Sequence, residues 1–399
     1  MAGSKKNQRF DQYLLRGKLR HEGFEKWRYD FCAVHKDTGV EKKFFIEMYL
    51  VNPAISPKVA VIAQKSRLAF SENDLQYALA GTMATKNAEP EVVVRPSYVL
   101  IKAGMFGENG KQINNFLPSA QLSYSKDSGV FKVGDCSFSS YSLTGSVYVS
   151  EDDLREKPEL SCNAGAMDWE LTFKRDISCG LMGFKQDTVW VPTGAKTSFS
   201  GTIHIDGEEF IAYPQNSFGY SDKKWGIHLN DPYFHLSSSK LTSIITGKSM
   251  TNSCLVIDGE YNGKIQAFLN VDGHNFRIAR PSLFKCFSEF HECTQMPTDE
   301  DGEKLHWSLS IHKGKYVIDI DVFCRAEEMF VRDYEIPQGR RTLIKVLGGG
   351  TGKGEVRIYK KIHKNLELLE HANIYDVSCD FGQKEEIGKL DDDFENTLD

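Results

Sequence analysis

Residues 219–226, with the sequence GYSDKKWG, place one carboxylate among aromatic side chains. Asp222 follows Tyr220 by two positions and precedes Trp225 by three. An aspartate normally titrates near ~3.9, so it can donate a proton near neutral pH only if an apolar setting raises its pKa. Tyr220 and Trp225 can form apolar walls, and a Tyr hydroxyl can hydrogen-bond the protonated carboxyl. We therefore predict that Asp222, Tyr220 and Trp225 form a catalytic group.

Lys224 provides the argument against this prediction. In an extended segment, alternation places Tyr220, Asp222 and Lys224 on the same face. An ammonium beside Asp222 would stabilise the carboxylate and lower its pKa. The alternative interpretation is a surface hairpin with a structural Asp–Lys pair and a packed Trp225, and the spacing alone favours this alternative.

Other chemical motifs are absent from the sequence. The histidines are scattered, and no Cys/His cluster has the spacing of a zinc site, so no metal site is predicted. His228 and His235 follow Trp225 closely and either point into the same pocket or are ordinary strand residues. The glycine-rich residues 348–354 do not form a phosphate loop, because Leu347 and Gly354 stand where that motif requires Gly and Ser/Thr. A tight turn between strands is predicted there.

The composition narrows the class of protein. The chain has 399 residues and a net charge of −6, and no basic run is long enough to predict nucleic-acid binding. No apolar run approaches the ~20 residues of a membrane helix, and no apolar segment follows Met1 as in a secretory signal. The nine cysteines are odd in number and contain no Cys-x-x-Cys, which indicates reduced thiols and a cytoplasmic location.

Period-two alternation of apolar residues dominates the chain. Residues 307–311 and 316–322 alternate on either side of a Lys-Gly-Lys turn, and residues 264–271 alternate up to an Asp-Gly turn. Residues 201–213 predict two strands that turn at Asp206-Gly207. Helix signals are confined to a capped segment near residues 71–83 and a weak one at 364–373. This pattern predicts an all-β meander closed into barrels or sandwiches.

A domain boundary is predicted near Pro192 and Gly194, which read as a linker before the hairpin at 201–213. The predicted domains are residues 20–195 and 196–385, with flexible ends at 1–19 and 386–399. The acidic run at 391–395 is typical of a solvated tail.

Several segments resemble, in order, the tocopherol cyclase, carotenoid 1,2-hydratase and AttH-like superfamily, to which lipocalin-type Diels–Alderases are related. These are residues 21–29, 168–173, 190–207, 219–226 and 348–359, and together they span about residues 20–385. Residues 219–226 resemble the superfamily's Gly-Tyr-x-Asp/Glu-x-Asn-Trp-Gly signature, with Lys224 in place of its Asn. The aromatic residues that follow are Tyr233-Phe234-His235.

The resemblance implies two tandem lipocalin-like (calycin) β-barrel or β-sandwich domains, an apolar pocket and no cofactor. It implies a cyclase, hydratase or isomerase acting on a bulky isoprenoid- or polyene-like substrate, with Asp222 as proton donor beside Tyr220 and Trp225. The expected partner is a small hydrophobic substrate, with transient contact to a membrane surface. The residues predicted to bind the substrate are Trp27, Tyr29, Trp169, Trp190, His228, Tyr233 and His235. Two alternatives remain: a non-catalytic lipid or pigment carrier, and a pericyclase that works by shape alone.

Overall fold

The computed structural model describes residues 11–63, 94–180, 182, 187–260, 264–279, 287–298, 300, 302–339 and 342–386. The helix predicted near residues 71–83 lies outside these ranges. The described chain consists almost entirely of antiparallel strands, with two short helices, α1 (Leu19–Glu22) and α2 (Glu151–Glu156). Three 3₁₀ turns lie at Ser119–Gln121, Pro158–Leu160 and Ala326–Glu328. The all-β prediction is confirmed.

The first sheet contains twelve strands in the order β4-β3-β2-β1-β11-β10-β9-β8-β7-β6-β5, with β12 paired to both β1 and β10. Their bounds are β1 (Phe24–His35), β2 (Glu41–Val51), β3 (Tyr98–Met105), β4 (Lys111–Leu117), β5 (Leu122–Ser125), β6 (Val130–Val133), β7 (Cys136–Phe138), β8 (Ser142–Val149), β9 (Gly165–Ile177), β10 (Thr188–Ile205), β11 (Glu208–Ala212) and β12 (Phe218–Gly226). The sheet curls around an interior of packed aromatic rings, where the ring centre of Phe31 lies 5.9 Å from that of Phe44 and 4.9 Å from that of Phe199.

The second sheet contains eleven strands in the order β17-β16-β15-β13-β23-β22-β20-β19-β18, with β14 paired to β23 and β21 to β22. Their bounds are β13 (Tyr233–Ser238), β14 (Lys240–Ser243), β15 (Cys254–Glu260), β16 (Ile265–Val271), β17 (His274–Ile278), β18 (Phe287–Gln295), β19 (Lys304–Lys313), β20 (Tyr316–Arg325), β21 (Phe330–Glu335), β22 (Thr342–Ile362) and β23 (Asn365–Glu386). It encloses an aliphatic core centred on Trp307. The hairpins predicted around 201–213, 264–278 and 307–322 are confirmed as β10–β11, β16–β17 and β19–β20.

The chain passes from one sheet to the other between Gly226 and Tyr233, whereas the sequence analysis placed the domain boundary at 195/196. Pro192 and Gly194 lie inside the continuous strand β10, at shifts in its pairing with β12. A bulge therefore accounts for the Pro and Gly that were read as a linker, because a bulge needs the same residue types as a loop.

The glycine-rich residues 348–354 do not form a turn, so that prediction is wrong. They lie within the 21-residue strand β22, where the pairing with β23 shifts register. A Cβ on Gly350 would lie 2.2 Å from the ring of Phe106, which belongs to the first sheet's side of the molecule. The glycines are there because another backbone and its side chains pack too closely for a Cβ. Residues 365–373, predicted as weakly helical or loop, are also strand, in β23.

A layer of buried charged side chains separates the two sheets. On β1, Trp27, Tyr29 and Phe31 face the first core, so the alternate residues face the second sheet. We call this set the inter-sheet layer, and its members, each 5% exposed or less, are Lys26, Arg28, Asp30, Glu47, Lys102, Asp222, Lys224, His235, Asp258, Arg332, Tyr334 and Asp380. Opposite charges meet across it, as in the ion pair of Arg28 with Asp380. The layer positions the candidate site.

Candidate functional site

The carboxyl of Asp222 is buried in the inter-sheet layer and anchored at one oxygen. Its Oδ2 accepts hydrogen bonds from Tyr220 Oη at 2.8 Å and from Trp190 Nε1 at 2.9 Å. The Trp190 Nε1 also lies 3.2 Å from Tyr220 Oη, so the three groups form a closed triangle. Asp222 Oδ1 is buried and has no hydrogen-bond partner among the described residues. Two donors thus hold Oδ2 in place, while Oδ1 has none among the described residues.

Burial raises the pKa of Asp222 above its usual value, and the nearby Asp258 acts in the same direction. His235 and Lys224 oppose this shift without reversing it. Burial also raises the pKa of Tyr220 well above its usual value, and the negative charge of Asp222 adds to the effect. The pair therefore holds its protons more tightly than the same groups would in water.

Lys224 lies on the face of β12 that the alternation predicted, but its ammonium contacts a different carboxylate. Lys224 Nζ lies 2.6 Å from Asp258 Oδ1 and 2.8 Å from Asp258 Oδ2. Burial alone would raise the pKa of Asp258, but Lys224 and His235 hold it below its usual value. The surface-hairpin alternative, in which Lys224 pairs with Asp222, is therefore not what the structure shows.

The second sheet contributes a hydrogen-bonded row to the same site. His235 on β13 is directly opposite Asp258 on β15, and their Nδ1 and Oδ2 atoms lie 3.3 Å apart. His235 Nε2 lies 3.1 Å from Ser237 Oγ on the same strand. The hydroxyl of Tyr233 donates to Asp258 at 3.1 Å. The predicted residues Tyr233 and His235 thus lie beside Asp222, and the ring of His235 is 5.3 Å from that of Tyr220.

Among the residues that the structure describes, two groups of side chains have the spacing to hold a cation: Asp222, His235 and Asp258 in the inter-sheet layer, and Cys32, Glu41 and Asp376 near the surface. In each group a lysine already supplies the positive charge. Lys224 contacts both oxygens of Asp258, and Lys240 contacts both Glu41 and Asp376. A metal ion at either place would have to displace that ammonium.

Trp225 does not join the predicted catalytic group. In the antiparallel pairing of β1 with β12 it is opposite Glu25, whereas Asp222 is opposite Arg28. Residues opposite one another share a face. Trp225 is therefore on the side of the first core, where Glu25 accepts from the indole of Trp27, and Asp222 is on the other. Trp190, on the neighbouring strand β10, supplies the indole that contacts Asp222.

The remaining predicted residues lie apart from Asp222. Trp27, Tyr29 and Trp169 pack in the first core and are 2%, 2% and 3% exposed. Trp27 and Tyr29 are kept from the site by strand alternation, because Lys26 and Arg28 occupy the opposite face of β1. His228 is exposed and lies between β12 and β13.

A cleft of about 540 Å³ opens beside this group between the two sheets. Tyr220 lines it from the first sheet and Ser237 from the second, while Asp222 and His235 lie one hydrogen bond behind them. Apolar wall is supplied by Val34, Phe218 and Met250. The site is thus a partly apolar cleft with one proton-carrying pair on each side.

Sequence reasoning missed Asp258, Ser237 and Trp190's role as a donor to Asp222. Asp258 precedes Gly259 and resembles a turn residue, yet it lies in the middle of the pairing of β13 and β15. The signal that was available is that Leu255, Ile257 and Asp258 belong to one strand-like run, in which a single acidic residue needs a buried partner. The sequence around Asp258 does not say which residue is that partner.

No family model and no curated protein matches the chain. Among solved structures, it is similar to an AttH-like protein from Nitrosomonas europaea, with 11% sequence identity over 89% of this chain and 91% of that one and a TM-score of 0.42. It is also similar to kievitone hydratase from Nectria haematococca, with 10% identity over 92% and 93% of the two chains and a TM-score of 0.40.

No helix among the described residues is long and apolar enough to cross a membrane.

Proposed function

We propose that the protein is a cofactor-independent hydratase, cyclase or isomerase of a bulky apolar substrate, with Asp222 as the source of the proton. The observation that carries the proposal is the pair formed by the buried Asp222 carboxyl and the hydroxyl of Tyr220, 2.8 Å apart, with Tyr220 itself a residue of the cleft wall. A protonated acid held in a dry site next to a cavity is what protonation of an alkene or carbonyl requires.

Tyr220 delivers the proton because it lies between Asp222 and the cleft. A phenolic hydroxyl both donates and accepts, so Tyr220 can give its O–H proton to the substrate while its oxygen takes the proton of the Asp222 carboxyl from Oδ2, the oxygen that it contacts. In the alkene case the π electron pair forms the new C–H bond and leaves a cation on the neighbouring carbon. Trp190 Nε1, within reach of both Tyr220 Oη and Asp222 Oδ2, stabilises the negative charge that remains on the pair.

The opposite wall supplies the hydrogen-bonded row of Ser237, His235 and Asp258, to which we assign acceptance of the second proton. Hydration must remove a proton from water, and cyclisation or isomerisation must remove one from a neighbouring carbon. Ser237 at the wall is hydrogen-bonded to His235, and His235 to the anionic Asp258. The environments push the pKa of Asp222 up and that of Asp258 down. Such divergence within one site is typical of an acid and a base with separate roles.

The test is incubation of the purified protein with a panel of polyenes and isoprenoids, followed by mass spectrometry for same-mass and plus-water products. Asp222→Asn is expected to lower turnover by about 100-fold or more, the usual contribution of a positioned general acid. Tyr220→Phe should have a similar effect. Asp168→Asn, which alters an exposed carboxylate on β9 outside the cleft, is the control and should retain activity.

Unchanged turnover in Asp222→Asn with an intact fold would refute the acid role. If turnover survives that change but falls when an aromatic of the cleft wall is truncated, as in Phe218→Ala, the site works as a pericyclase. An apolar molecule that co-purifies and is returned unaltered would instead identify a carrier.

A further inference from the structure

Lys196 has an unusual position at the cleft. The cleft beside Asp222 meets a second one of about 590 Å³, and Lys196 and Phe218 line both. Lys196 is only 3% exposed, and its Nζ lies 4.1 Å from the centre of the Phe218 ring. An ammonium group in a site walled by an aromatic ring is therefore present where the two clefts join.

The charge of Lys196 is not neutralised by a neighbouring carboxylate. Its Nζ donates to the backbone carbonyl of Thr251, and no carboxylate of the described residues is within ion-pair distance of it. Asp176, which lines the second cleft, forms an ion pair with Lys174 at 3.1 Å. An ammonium has three donors, so one bond to a carbonyl leaves capacity for another acceptor.

The carboxylates that line the cleft beside Asp222 are paired without Lys196. Lys240 binds Glu41 and Asp376 together, and Lys43 donates to the backbone carbonyl of Asp376. Lys43 and Lys196 are thus the cations of this cleft that bind a backbone carbonyl and no carboxylate of the described residues, and of the two Lys196 also lines the second cleft. Burial lowers the pKa of Lys196, so its ammonium form is less favourable than in water, and a bound anion would favour that form.

Lys196 and Tyr220 line the same cleft from neighbouring strands. On β10 Lys196 lies between Gly194 and Thr197, which are opposite Ser221 and Gly219 on β12. A substrate whose anionic group contacts Lys196 would lay its apolar part along Phe218 and Tyr220, within the same cleft.

We propose that the ligand of this cleft is amphipathic, with a carboxylate or comparable anionic group bound by Lys196 and an apolar body against Phe218, Tyr220 and Met250. This inference rests on the proposed function for the identity of the cleft, but it concerns binding and does not depend on turnover. Lys196 fixes the end of the molecule and thereby which double bond or carbonyl reaches Tyr220.

The experiment compares two fluorescent probes that differ in charge alone, cis-parinaric acid and its methyl ester, by titration of the full-length protein. The wild type is expected to bind the acid about tenfold more tightly than the ester, as one charge-assisted hydrogen bond provides. Lys196→Met should abolish the preference and leave the affinity for the ester unchanged. Lys196→Arg should retain the preference for the acid. Lys174→Met, at the mouth of the second cleft, is the matched control and should keep the preference.

Thermal unfolding of each variant checks that the fold is intact, and Lys196→Gln replaces Lys196→Met if the latter is unstable. Equal binding of acid and ester by the wild type, or binding of neither, would overturn the proposal, as would a preference that survives in Lys196→Met. Asp222→Asn should retain the preference. Loss of turnover without loss of the preference, or the reverse, therefore separates a failure of the proposed reaction from a failure of the anionic subsite.

Discussion

The ammonium of Lys224 contacts Asp258 at 2.6 Å, on the opposite sheet, although Asp222 is only two positions away on its own strand. This pairing lets Asp222 keep a raised pKa beside a lysine, because the positive charge of Lys224 is largely balanced by Asp258. The two sheets thus divide the charges of the site: a carboxyl with a raised pKa on one side, and an ion partner for Lys224 on the other.

Removal of Lys224 should be costly for stability. Lys224→Met leaves the fully buried Asp258 without its ammonium, and breaking a buried pair in this way typically costs about 3–5 kcal/mol. Urea denaturation measures the free energy of unfolding. Lys36→Met breaks the solvent-exposed pair with Glu209 and should change the free energy of unfolding far less. Equal losses in the two variants would show that the Lys224 pair is not buried as described.

The stability difference between wild type and Asp222→Asn should depend on pH. Burial raises the pKa of Asp222 above its unfolded value, so the folded state binds the proton more tightly. The resulting stabilisation is fully present below the unfolded pKa, about 3.9, and is lost as pH rises through the folded pKa. Asn cannot ionise. Urea denaturation at several pH values should therefore show the variant gaining stability relative to the wild type as pH rises above about 4.

Asp380→Asn is the control for this experiment. Burial alone would raise the pKa of Asp380, but Arg28 and Arg332 hold it below its usual value. The stabilisation that the ionised Asp380 contributes is therefore lost only as pH falls. Above about pH 4 the difference in unfolding free energy between the wild type and Asp380→Asn should not change with pH. A flat profile for Asp222→Asn as well would mean that the carboxyl of Asp222 is ionised in the folded protein.

Trp190 and Trp225 should differ in their importance for stability and turnover. Trp190→Phe removes the N–H that donates to Asp222 and Tyr220, which leaves buried polar atoms short of a partner and should cost about 1–3 kcal/mol. Trp225→Phe changes a half-buried side chain on the other face of β12 and should cost less. Denaturation and turnover should both rank Trp190→Phe as the more harmful. The reverse ranking would contradict the assignment of faces.

The glycine-rich part of β22 should be sensitive to a single methyl group. Gly350→Ala places a Cβ against the Phe106 ring, and overpacking of this kind costs about 1–3 kcal/mol. Lys353→Ala, at an exposed position of the same strand, should change the free energy of unfolding by no more than about 0.5 kcal/mol. A neutral Gly350→Ala variant would show that the two sides of the molecule are not packed against each other at this point.

The alternating residues of the chain determined the all-β class and the main hairpins, since period two and X-Gly turns are local properties. They also determined that Tyr220, Asp222 and Lys224 share a face. The prediction that Trp225 joins Asp222 was wrong although the same alternation places residue 225 on the opposite face of the strand. The prediction of a turn at 348–354 was wrong because glycine permits both a turn and close packing.

Tertiary structure decided the chemistry of that face. Lys26, Arg28 and Asp30 alternate with aromatics on β1 and have the pattern of a solvated strand face, yet the second sheet covers them. Burial is what raises the pKa of Asp222, and the covering strand β15 is what supplies Asp258 to Lys224. Both effects come from residues distant in sequence, so the strand's own sequence specifies which side chains point together, and only the packing of the sheets fixes which of them stay charged.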